Sequence, residues 1–287
     1  MRQDIIDLYD DYTHARLDRR LFMDRLAALA GGTAAAAALL PLLRCNYAQA
    51  AIVAADDARL KTQRVTYSGA SGEVKAYLAR PADASGKLPG VVVIHENRGL
   101  NPHIEDVARR VALAGFVALA PDFLSPSGGT PADEDQARTM IGELDPQQTI
   151  ANAVDAVAYL GSLDTTTSKV GVIGFCWGGG LANQVAVNSP EVDAVVAYYG
   201  RQPSAEEVAR IKAPLLLHYA GLDKRIDAGI ADYRKALDAN QVDYTIYMYE
   251  GANHAFNNDT NAARYDKAAA ELAWSRTIDF LKRHLAS

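Results

Sequence analysis

Among the side chains able to attack a carbonyl carbon, Cys176 is set apart by what surrounds it. It lies in GVIGFCWGGG, residues 171 to 180, where a continuous apolar run leads in and a glycine stands two positions away on each side. Gly174-Phe175-Cys176-Trp177-Gly178 has the form of a nucleophile elbow, G-x-S-x-G, with sulfur in place of the serine oxygen. Glycines there remove side chains that would collide with the adjoining strand and helix. The turn also sets the thiol at a helix N-terminus, where the macrodipole favours the thiolate. The competing assignment is a small buried core cysteine.

A thiolate elbow needs a proton acceptor, and in α/β-hydrolase chains the order is nucleophile, acid, histidine. APLLLHYAGLD ends a buried strand and puts Asp223 just beyond it; YMYEGANHAF ends the next and puts His254 in the loop after it. Asp227 competes with Asp223 for the carboxylate role, and either could instead cap a helix. His254 would shuttle the proton while the carboxylate fixes its tautomer. Acyl transfer also needs donors for the oxyanion. The backbone N–H of Trp177 supplies one, and the loop after GVVVIHE, where Asn97 sits, supplies the second. Losing one such donor typically costs roughly 3 kcal/mol of barrier stabilisation.

The elements that must position these residues follow from the hydrophobic pattern. TQRVTYS and EVKAYLARP alternate around the turn GASG, which predicts an antiparallel pair near the start of the domain. GVVVIHE, FVALAPDF, KVGVIGF, AVVAYYG and APLLLHYAG are short continuous apolar runs, expected of strands covered on both faces, and YTIYMYEG adds a last strand. Helix-period segments alternate with them. The fold class is therefore α/β, a mostly parallel central sheet with helices on both faces. In such sheets ligands gather at the carboxyl ends of the strands, where Cys176 falls. The Pro-, Gly- and Ser-rich stretch LSPSGGTPADEDQ reads as a loop, either a lid or substrate collar or a plain surface excursion.

VIHENRG, LAPDF, VGVIGFCWGGG, VAYYG, HYAGLD and GANHAF, in this order across nearly all of the chain after Lys61, resemble the dienelactone hydrolase family. The resemblance implies an α/β-hydrolase fold, a Cys-His-Asp triad and opening of the lactone ring of dienelactones through an acyl-thioester. It also implies that Glu96 of HENRG accepts the thiol proton when substrate enters, so that the resting sulfur stays protonated and resists oxidation. The alternative for Glu96 is a buried ion pair with Arg98. The sequence departs from the family in its carboxylate clamp: where an arginine is expected shortly after the histidine, HAFNND has Asn257 and Asn258. Arg98 and Arg138 are the substitutes available for holding a substrate carboxylate. Tyr199, with Tyr198 and Trp177, is a candidate pocket wall.

Composition bounds the rest. The chain has 287 residues, 49% hydrophobic and 22% charged, enough for one sizeable core. A net charge of -6 without a dense Lys/Arg cluster argues against nucleic-acid binding. Two cysteines, Cys45 and Cys176, make no disulfide framework and stand in no metal-ligand spacing, so no metal and no cofactor are expected.

Residues 1–50 form an N-terminal extension and 51–287 the catalytic domain. Arg19 and Arg20 precede an alanine-rich apolar run, and YAQA, residues 47 to 50, has the small residues of a signal-peptidase site. The extension thus resembles a twin-arginine export signal, cleaved after Ala50, which places the mature protein in the periplasm with no stable membrane span. The alternative is a retained, amphipathic helical arm packed on the domain and a cytoplasmic protein, since IIDLYDDYTHARLDRRLFMDRL has apolar residues at helical spacing. The partner expected is a small ester or lactone, the protein being a monomer or homodimer. Two other functional classes fit the same thiol: a redox enzyme cycling through sulfenic acid, disfavoured because no resolving cysteine stands nearby, and a non-catalytic binding protein, which would not need nucleophile, histidine, carboxylate and glutamate together.

Overall fold

A computed structural model describes residues 1–14, 16–47 and 52–286. Three helices come first, α1 (Gln3–Thr13), α2 (Arg19–Ala30) and α3 (Thr33–Leu43). The domain then runs β1 (Leu60–Gly69), β2 (Gly72–Pro81), β3 (Leu88–Ile94), α4 (Pro102–Leu113), β4 (Val117–Pro121), α5 (Glu134–Gly142), α6 (Pro146–Ser162) and β5 (Thr166–Phe175). It continues with α7 (Trp177–Asn188), β6 (Ala194–Tyr198), α8 (Ala205–Val208), β7 (Leu215–Ala220), α9 (Lys224–Asp227), α10 (Ile230–Ala239), β8 (Tyr244–Tyr249) and α11 (Lys267–Leu285).

The strands form one eight-stranded sheet ordered β1-β2-β4-β3-β5-β6-β7-β8. β1 pairs with β2, and β2 with β4, antiparallel; every later pairing is parallel. Because β3 to β7 are apolar on both faces, each face needs its own helical cover. One core joins Val92, Val172 and Leu217 to Val157 of α6, Val185 of α7 and Leu237 of α10. The other joins Val93, Ile173 and Leu216 to Val107 of α4 and Leu281 of α11. The expected α/β architecture with its antiparallel N-terminal pair is the observed one.

Two local readings need correction. LSPSGGTPADEDQ is not structureless: Asp122 accepts from the N–H (2.9 Å) and the hydroxyl (2.7 Å) of Thr130, which closes the turn, and Asp133 caps α5 through the N–H of Gln136. The segment AARYDKAAAELAWSRTIDFLKRHL, whose composition predicts one long terminal helix, is helical only from Lys267, with Asp266 as cap, because residues 250–266 are turns and irregular backbone.

The N-terminal segment is the least anticipated part. Tyr12 of α1 stacks on Phe22 of α2 with ring centroids 4.4 Å apart, and Ile5, Leu8, Tyr9, Leu26, Ala36 and Leu43 complete a small core of their own. Asp18 caps α2, and Gly31 ends it with φ of 83°. This unit lies on the domain through Arg19–Asp135 (2.6 Å), Gln3–Asn253 (2.5 Å) and the amide of Asn261 donating to the Leu43 carbonyl (2.7 Å). Residues 3–14 and 16–43 are thus a packed helical arm. The cleavage site expected after Ala50 lies outside the described residues. Among the described residues no single helix is long and apolar enough to cross a membrane; α2 and α3 would reach that length only together, and they are bent by 109°.

Candidate active site

Cys176 sits between the end of β5 and the start of α7 with φ of 56° and ψ of -116°, a conformation L-residues rarely adopt. Its N–H is held by the Tyr198 carbonyl at 3.0 Å, which fixes the elbow to β6. The flanking glycines are dictated by space. A Cβ on Gly174 would run into the Gly178 carbonyl, and one on Gly178 into the carbonyls of Ile94 and His95. The elbow motif is therefore a steric necessity of this turn.

Asp223 and His254 meet as the sequence suggested. Asp223 follows β7, His254 follows β8, and Asp223 Oδ2 lies 2.5 Å from His254 Nδ1. The two competing roles for Asp223 coexist, since its Oδ1 also accepts from the N–H of Ile226 in α9. Asp227 does not contact His254; burial, with the charges of Asp223 and Glu250, raises its carboxyl to about 6. His254 Nε2 is buried and, among the described residues, has Cys176 as its polar neighbour.

A residue the sequence reading passed over completes the cluster. His14, just past the end of α1, puts Nε2 at 3.4 Å from the Cys176 sulfur. Its Nδ1 lies 2.8 Å from the Asp10 carbonyl and 3.3 Å from Asp10 Oδ1. The rings of His14 and His254 meet edge to face at 4.7 Å. One donor atom from each of His14, Cys176 and His254 lies within 4.8 Å of the others, a nitrogen-and-sulfur set of the kind that can hold a soft or borderline metal ion. The available signal was the Asp10-to-His14 spacing on one face of an amphipathic helix, masked by the likeness of this segment to an export leader.

The electrostatics follow from this crowding. Burial alone would push the Cys176 thiol up, but the charge on His254 and the hydrogen bond from His14 bring it down to about 5. Burial opposes protonation of His254, yet Asp223, Cys176 and Asp10 raise it to about 10. His14 is raised as well, against burial, by Asp10 and Cys176. Asp10 and Asp223 are both held low, against burial, chiefly by the charge of His254.

Other expected residues are distributed unevenly. Trp177 opens α7, so its amide has no carbonyl one turn earlier in the helix. Asn97 lines the cavity, its side-chain amide donating to the Thr13 carbonyl at 2.8 Å. Glu96 does not pair with Arg98: its Oε2 accepts from Asn258 Nδ2 at 2.7 Å, and Oε1 is buried without a partner. Arg98 does not line the cavity, because it is buried beneath the arm against Glu134 (3.2 Å) and the Tyr9 hydroxyl (3.2 Å). Arg138 of α5 lines it, though its guanidinium lies over the Tyr12 ring and donates to the Tyr12 carbonyl. Tyr199 lines it with its ring 4.9 Å from that of His254, whereas the Tyr198 hydroxyl is tied to Thr277.

The cavity in front of the sulfur has a volume of about 730 Å³. Ile141, Leu144, Ile150 and Leu181 make part of its wall, and Arg201 and Arg225, which the sequence did not single out, add cations.

Comparison with known proteins supplies the context. The model of the family described as "Dienelactone hydrolase family" matches residues 74–285, and a second, described as "YqhI-like", matches residues 1–31. A Saccharolobus solfataricus protein named as a carboxymethylenebutenolidase is 34% identical over 259 residues, covering 77% of this chain and 98% of that protein. A Bradyrhizobium protein named as a 2-oxo-3-(5-oxofuran-2-ylidene)propanoate lactonase is 34% identical over 232 residues, covering 76% of this chain and 92% of its own. Among solved structures, one described as a dienelactone hydrolase from Klebsiella pneumoniae superposes with a TM-score of 0.72 at 26% identity, covering 78% of this chain and 99% of its own.

Proposed function

This chain belongs to the dienelactone hydrolase family and is a hydrolase of lactone or ester substrates, and from that premise we propose that it works through a Cys176-His254-Asp223 triad. In this reading Cys176 Sγ attacks the acyl carbon, the carbon–oxygen bond to the leaving group breaks as the departing oxygen takes the proton held on an imidazole beside the sulfur, and an acyl-thioester remains. His254, oriented by Asp223, then takes a proton from water, which attacks the thioester and releases the acid. The Trp177 amide and the Asn97 loop stabilise the oxyanion.

The observation that carries the reading is the convergence on one cavity of a strained elbow cysteine and a histidine whose far nitrogen is bound by a carboxylate at 2.5 Å. The role that family likeness gives to Glu96, taking the thiol proton on substrate entry, would fall to Oε1, which has no partner among the described residues while Oε2 accepts from Asn258. The substrate is an ester or lactone small enough for the cavity, with an apolar acyl part against Ile141 and Leu181 and a polar end toward Arg138, Arg201 or Arg225. A panel of dienelactone, simple lactones and p-nitrophenyl esters tests this. Cys176→Ala should abolish turnover of all of them, and undiminished turnover would overturn the triad.

A further inference from the structure

Resting on the reading of Cys176 as nucleophile, we propose that His14, carried in by the N-terminal arm, is a second catalytic imidazole, serving acylation while His254 serves the water. His14 Nε2 lies 3.4 Å from the reacting sulfur, and its other nitrogen is held by the Asp10 main-chain carbonyl at 2.8 Å with the Asp10 carboxylate 3.3 Å away, where His254 has the Asp223 carboxylate directly on its far nitrogen. Two imidazoles, each with an aspartate beside its far nitrogen, therefore face one thiol. They are not equivalent. His14 Nε2 is within hydrogen-bonding distance of the sulfur and has a main-chain carbonyl on its far nitrogen, whereas His254 acts on the thiol chiefly by charge and has a carboxylate directly on its far nitrogen. Among the described residues no hydrogen bond joins Glu96 to the sulfur, and Asn258 occupies one of its oxygens.

The proton balance closes with this division. The proton rests on His14 Nε2 beside the thiolate, and Sγ forms its bond to the acyl carbon. When the carbon–oxygen bond breaks, His14 gives that proton to the departing oxygen. Thioester formation removes the sulfur charge that helps hold a proton on His254; once neutral, His254 removes a proton from water, the hydroxide adds to the thioester, and the carbon–sulfur bond breaks. The proton on His254 passes by way of the freed sulfur to His14 Nε2, which restores the thiolate and the starting state. The groups facing this centre are Asp10 of α1, Asp223 and Arg225 at α9, Tyr199 after β6, and Arg264 in the loop before α11; Glu96, after β3, acts on Tyr199 by charge. The raised His14 and lowered Cys176 described above agree with a proton shared between them.

The test compares full-length wild type, His14→Gln, His254→Gln and Cys176→Ala on two esters of one acid, a p-nitrophenyl ester and an ethyl ester, with intact-mass detection of acyl-enzyme. A p-nitrophenolate leaves without a proton and ethoxide does not. His14→Gln should therefore lose on the order of 10²-fold in kcat/KM on the ethyl ester, much less on the p-nitrophenyl ester, and accumulate no adduct. His254→Gln should accumulate acyl on Cys176. Added imidazole should restore part of the activity of His14→Ala, which separates lost chemistry from lost folding. Equal loss on both esters, adduct accumulation in His14→Gln, or no rescue by imidazole would overturn the proposal. So would a fully active chain beginning near Ala51, since cleavage there removes His14. Activity retained in Cys176→Ala would sink the triad itself instead.

Discussion

Strands β3 to β7 are sealed on both faces, by α6, α7 and α10 against one and by α4 and α11 against the other. Helices α1 to α3 share one small core and meet the domain largely through ion pairs and side-chain hydrogen bonds. The domain holds Cys176, Asp223 and His254 on strand ends that cannot shift without disturbing a two-sided core. The arm holds His14 on a helix joined to the domain by side-chain hydrogen bonds and ion pairs rather than by a shared apolar core. A site built across such a boundary should have two grades of dependence: absolute on the domain's residues, partial on the arm's.

Replacing the sulfur tests the first grade. Cys176→Ala should lower kcat/KM on a p-nitrophenyl ester by about 10³-fold or more with the thermal midpoint little changed, and a smaller loss would dissolve the distinction. Loosening the arm tests the second. Phe22 is buried against Tyr12, so Phe22→Asp should free residues 1–47 to limited proteolysis while residues 60–285 stay resistant, with about a 10- to 10²-fold loss on a poor leaving group. If the domain melts along with the arm, the two regions are not separable.

A smaller effect is expected at the elbow. Gly178→Ala forces a methyl against the Ile94 and His95 carbonyls and should cost about 1–3 kcal/mol in denaturant unfolding; a neutral result would mean that the backbone gives. The smallest is a pH effect on stability. His254 is raised to about 10, so its contribution is full below the unfolded value near 6.5 and is lost as pH rises through 10. Asp223 is lowered, so its contribution is full above its unfolded value and is lost as pH falls through its folded one. His254→Gln should flatten the alkaline limb of the thermal midpoint against pH, and an unchanged limb would count against the pair.

The domain was legible because its signals are local. Apolar runs such as GVVVI give strands, and the spacing of Gly174, Cys176 and Gly178 gives the elbow. Asp223 and His254 each follow an apolar strand, so the sheet that fixes the strands also fixes their meeting. What stayed hidden depends on contacts between distant segments. Arg98 looked available to substrate, yet Glu134 and Tyr9 claim it from other elements. Arg201 and Arg225 carry no motif and face the cavity only because β6 and β7 end there. His14 lies 162 positions from Cys176 and in a segment whose paired arginines and alanines match a different pattern.

The central claim is that Cys176 takes the acyl group and that His254 is needed to remove it. Mixing His254→Gln with a p-nitrophenyl ester, quenching in acid and mapping the modified peptide by mass spectrometry tests it directly. The account predicts one acyl group, on Cys176. Acyl on another residue, or full turnover with no covalent adduct, would contradict it.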